Sequence, residues 1–125
     1  MDEFTFEFLG DRDARDGDAR SLAHWLNSSG DLRGAAELRM APPEPGEQGG
    51  AADAVLVLAA AVPLARPFFT WLTERAKQRR TRVRIVRSDQ AGTTVEFDAA
   101  NGADAQRLFG DIARFLDEDR DEELE

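Results

Sequence analysis

Side chains able to do covalent chemistry are scarce in this sequence. Cysteine and tyrosine are absent, and histidine occurs once, as His24. That inventory removes thiol nucleophiles, Cys/His metal cages and sites built on several imidazoles. Ser21 lies three residues before His24, so a helix would place both on one face. A nucleophilic serine also needs a strained presentation such as Gly-x-Ser-x-Gly, which is missing. His24 therefore reads as a surface or half-buried structural residue. Asp11, Asp13, Asp16 and Asp18 surround Gly17 and invite comparison with a calcium loop. An EF-hand loop needs carboxylates at positions 1, 3 and 5, glycine at 6 and glutamate at 12. Here the third acid falls at position 6 and the glycine at 7, and Arg12 and Arg15 add positive charge. The cluster reads as a polar loop with helix caps. The expectation is no catalytic residue, no metal ligands and no cofactor.

Charge is the next feature that could act on another molecule. The chain carries a formal net charge of −9, a field that repels nucleic acid and anionic membranes and favours a basic protein partner. Its placement is uneven. Arg75, Lys77, Arg79, Arg80, Arg82 and Arg84, continuing to Arg87, form a run without an acid. This is a possible basic patch for a partner or for the chain's own acidic end. No aromatics are interleaved, as single-strand binding would want. Residues 117–125 hold seven acids against Arg120, and such a block reads as a solvated, mobile tail.

The elements that must position these residues follow from periodicity. Phe4, Phe6 and Phe8 alternate with polar residues and predict a strand. A polar loop is expected over 11–17, then a helix over 18–27 with Leu22, Trp25 and Leu26 on one stripe. Asp16 or Asp18 would cap it, and Ser28-Ser29-Gly30 would end it through a left-handed glycine. After a turn over 31–34, Leu38 and Met40 mark a second strand over 36–40. Pro42, Pro43, Pro45, Gly46, Gly49 and Gly50 exclude regular structure from 41–50. Residues 51–62 are almost wholly apolar; their alanine content and length favour a helix, ended or kinked by Pro63. Leu64, Phe68, Trp71, Leu72 and Arg75 predict a second helical segment to about residue 78, with Pro67 in its first turn. A hairpin is expected from Val83 and Ile85 to Val95 and Phe97, and a last helix from Asn101 through Leu116. Trp25 and Trp71 are both expected in the core.

The order β-α-β-αα-β-β-α predicts an α+β fold: a small mixed sheet of about four strands with helices mainly on one face. The length fits a single domain over 1–116, followed by the tail. The acidic start lacks a secretion signal, the longest uncharged stretch, 54–65, is too short to span a bilayer, and cysteine is absent. A cytoplasmic location is the expectation.

Several residues fall together in a recognisable order. Asp16-Gly17-Asp18-Ala19-Arg20-Ser21-Leu22 is followed by Trp25-Leu26, Asp31-Leu32-Arg33-Gly34, Pro43-Glu44-Pro45-Gly46-Glu47 with Gly49, and Trp71-Leu72. This series resembles the effector-associated constant component family, small actinobacterial proteins encoded beside effectors such as caspase-like or trypsin-like proteases in conflict systems. Departures are Gln48, where methionine is usual, and 59–63, where a glycine-rich break is usual. The resemblance implies a non-catalytic adaptor or regulatory component that works with a separate effector or sensor protein. The partner contact is expected at Pro43, Pro45, Gly46, Glu47 and Gly49 with the adjacent Arg20. The competing expectation is an acidic inhibitor or antitoxin-like protein that blocks a basic site on its partner.

Overall fold

The computed structural model describes residues 2–41, 51–59, 64–88 and 92–116. Five strands and four helices occur there: β1 Asp2–Phe8, α1 Arg12–Asn27, β2 Ala36–Met40, β3 Ala52–Ala59, α2 Ala65–Gln78, β4 Thr81–Arg87, β5 Thr94–Ala99, α3 Gly102–Arg107 and α4 Phe109–Leu116. The sheet order is β2-β3-β1-β4-β5, with every neighbouring pair antiparallel. An α+β fold was expected, but with about four strands in a mixed sheet; the fifth strand is β3.

Residues β1 through β4 form two interlocked β-α-β units, β1-α1-β2 and β3-α2-β4. Each unit leaves a gap that one strand of the other fills, which is the ferredoxin-like arrangement. β5 extends this sheet through the hairpin, and α3 and α4 pack against α2, with α3 also against β5.

β3 corrects the helix expected over 51–62. Uniform apolarity is also what a strand buried on both faces shows, and β3, between β1 and β2, is so buried over 54–57. Val55 and Val57 face the helices opposite Phe6 and Phe4, while Ala54 and Leu56 lie on the other face and are still buried. Pro63 and the loop 42–50 lie outside the described residues, as do 89–91 of the hairpin loop and the tail 117–125.

α1 is longer than expected. Asp11 rather than Asp16 or Asp18 caps it, accepting from the Ala14 N–H at 2.8 Å, so Gly17 stands inside the helix. Ser28 ends α1, and Gly30 opens a single 3-10 turn; it is Gly34, after that turn, that is left-handed, with φ of 78°. Pro67 is the third residue of α2, where the missing N–H costs no helical bond. The final helix divides at Leu108 into α3 and α4, and Asn101 caps α3 by accepting from Asp104 N–H at 2.9 Å.

One face of the sheet holds the core. Phe4, Phe6, Phe8, Val55, Val57, Val83, Ile85 and Phe97 meet Leu22, Leu26, Phe68 and Leu72 from the helices. Each large apolar side chain buried this way contributes about 1.5–3 kcal/mol, more than the propensity differences along the helices. Packing therefore decides where the helices lie. Trp71 is in this core, as expected; Trp25 is 38% exposed and is not.

Candidate functional site

The motif residues of α1 meet α2 along one antiparallel seam. Ala14, Asp18, Ser21 and Trp25 recur at four-, three- and four-residue steps, one helical stripe. Pro67, Trp71, Arg75 and Arg79 recur every four residues on the facing element. The indole N–H of Trp25 donates to Pro67 O at 3.0 Å, and that of Trp71 donates to Ser21 Oγ at 3.0 Å. Arg75 Nε and Arg79 Nη1 both donate to Asp18 Oδ1 at 2.8 Å. Arg79 Nη1 also reaches Ala14 O at 3.5 Å.

Asp18 is the electrostatic centre of this seam. Its side chain is 1% exposed, whereas Arg75 and Arg79 keep 21% and 37% exposure. A carboxylate so buried is tolerable only when charged donors surround it. Gly17 adds room: a Cβ there would stand 3.2 Å from Arg75 Nη2.

Asp16, one residue before Gly17, faces a different target. Its Oδ1 accepts from the Ala52 N–H at 2.8 Å and from Arg20 Nε at 2.9 Å. The Ala52 amide, and then the Arg20 guanidinium, hold the Asp16 carboxyl below its ordinary value of 3.8. Ala41 N–H donates to Ala51 O at 2.8 Å. The two ends of loop 42–50 are thus closed against each other and pinned to α1 beside the exposed Arg20.

The expected basic run is divided among separate acids. Arg75 and Arg79 turn inward to Asp18, Lys77 lies 3.1 Å from Glu74, and Arg84 lies 3.7 Å from Glu7. Arg80 donates from Nε to Asp98 at 2.9 Å; this bond lowers the Asp98 carboxyl and raises the Arg80 guanidinium. Arg82 is exposed. Of the expected partner residues, Arg20 is at the surface, and Pro43, Pro45, Gly46, Glu47 and Gly49 lie outside the described residues.

No nucleophile–base pair joins Ser21 and His24: the serine oxygen holds Trp71 and the imidazole is exposed. Among the described residues, no three His, Cys, Asp or Glu side chains gather as metal ligands, and no helix is long and apolar enough to cross a membrane. The seam was missed from sequence because Asp18 and Ser21 break the apolar stripe. The four-residue recurrence of Pro67, Trp71, Arg75 and Arg79 was the signal that could have revealed it.

Comparison with family models matches residues 10–116 to Effector Associated Constant Component 1. The chain belongs to that family. No curated protein and no solved structure matches it. The residues that carried the resemblance now have physical roles in this family member. Asp16 pins a loop base, Gly17 admits a guanidinium, Asp18 collects two arginines, Ser21 receives an indole, and Leu22 and Leu26 fill the core.

Proposed function

We propose that this protein is a non-catalytic adaptor or regulatory component of a bacterial defence system, acting on a separate effector such as a protease-like protein. The observation that carries the reading is the pinned base of loop 42–50. Asp16 fixes Ala52 from α1, and the Ala41–Ala51 bond closes the loop's ends, with Arg20 exposed alongside. A fixed base reduces the entropy lost when a loop docks. Pro43, Pro45, Gly46, Glu47 and Gly49 would supply the contact, with Arg20 at its edge. The core-facing direction of Phe4, Phe6 and Phe8 favours a protein partner over nucleic acid, because the opposite sheet face offers no stacked aromatics among the described residues.

The test is co-purification with the effector after Pro45→Ala and Gly46→Ala together. Capture should weaken while the thermal unfolding midpoint stays unchanged. Undiminished capture by a folded double variant would count against the loop as the contact.

A further inference from the structure

Both edges of the sheet carry outward main chain, and each covers one residue of it with a side chain. On β2, Ala36 turns its main chain outward, and Asn27 covers it. Asn27 Nδ2 donates to Ala36 O, and Ala36 N–H donates to Asn27 Oδ1, both at 3.0 Å. That amide stands in for a neighbouring strand. On β5 the outward residues follow from the ladder. Arg87 N–H donates to Thr93 O, so 87/93 is a hydrogen-bonded pair and alternation makes 85/95 and 83/97 the next ones. Thr94, Glu96 and Asp98 therefore direct their N–H and C=O groups away from β4. Ala100, the next in that series, is covered by Asp104, which accepts its N–H at 3.1 Å. Glu96, at the centre, is exposed and stands opposite Arg84 of β4 in the ladder.

Beside this edge runs a groove of about 390 Å³ between β5 and α4. Val95, Phe97, Leu108 and Phe115 supply its apolar lining, and Arg87, Asp111 and Arg114 its charged lining beside Glu96. A strand added to β5 would drop alternate side chains into this groove and set the intervening ones beside Thr94, Glu96 and Asp98. Self-pairing of two β5 edges about Glu96 would oppose two carboxylates, an unfavourable cross-strand pair.

We infer that β5 is a second docking edge, which accepts an extended segment of another protein in which apolar and basic residues alternate. The apolar residues occupy the groove and the basic ones face Glu96. This edge is separate from the loop base at Asp16, so it stands without the loop reading.

The probe is a seven-residue peptide of alternating lysine and valine, titrated into the full chain by fluorescence anisotropy and amide exchange. The alternating peptide should bind more tightly than one of the same composition with its valines in a block. Binding should protect the Glu96 and Asp98 amides, and Glu96→Lys should weaken it about fivefold. Pro45→Ala with Gly46→Ala should leave it unchanged. Equal affinity for the block peptide, or no binding, overturns the inference. So does a Glu96 amide already protected in the peptide-free chain: if deleting 117–125 releases it, the tail is the occupant, and if dilution releases it, a second copy is.

Discussion

Gly17 and Arg75 approach so closely that a side chain on Gly17 would crowd the Arg75 guanidinium. A Cβ on Gly17 would press within 3.2 Å of the Arg75 guanidinium, which Asp18 already holds in place. Glycine costs a helix interior about 1 kcal/mol relative to alanine. Gly17→Ala should therefore recover only part of that amount in the native chain and nearly all of it in an Arg75→Ala background. Urea unfolding of the four members of this cycle measures the difference, and equal gains in both backgrounds would remove the steric account.

Asp18→Ala should destabilise the protein by about 2–4 kcal/mol, because both arginines would lose a charged acceptor held away from water. Arg75→Ala should cost less, since Arg79 still reaches Asp18 and both guanidiniums remain partly in solvent. Denaturant midpoints at constant m would establish the order. An Arg75 variant as damaged as the Asp18 variant would contradict it.

Acid should loosen the pinned loop base. The Asp16 carboxyl titrates below its ordinary value because the Ala52 amide and Arg20 favour its charged form. The folded chain thus releases this proton more readily than the unfolded chain. The resulting stability is fully present above the unfolded value, near 3.8, and is lost as pH falls through the lower folded value. Asp98, lowered by Arg80, has the same sign. Melting temperatures between about pH 2 and 6 should fall less steeply for Asp16→Asn than for the native chain. Parallel profiles would exclude the tether.

Ser21→Ala should cost about 1 kcal/mol by leaving the Trp71 indole N–H without its acceptor. Ser21→Ala introduced into Trp71→Phe should cost less, and a double-mutant cycle gives the coupling directly. Additive effects would mean that the bond contributes nothing net.

Sequence periodicity located the elements whose two sides differ. β1, β4 and β5 alternate, so their inward residues Phe6, Ile85 and Phe97 could be read directly. β3 could not be read this way, because Ala54 and Leu56 are buried on the side away from the helices and erase the alternation. The first turns of α1 were hidden for the opposite reason. Their inward residues are Gly17 and Asp18, whose partners come from α2, more than fifty positions along the chain. A charge neutralised at that distance looks like a loop in any local window. The same non-local pairing separates Arg75 and Arg79 from the surface run in which sequence order places them.

The bond between Ala41 and Ala51 shuts the gate of loop 42–50 on the sheet side, while Asp16 bolts the far post to α1. Segments of quite different length could be spliced in at that point, since doubling a closed loop costs only about 0.6 kcal/mol in chain entropy. In this chain the fold is a socket, and what is plugged into it can be exchanged without recasting the wall behind.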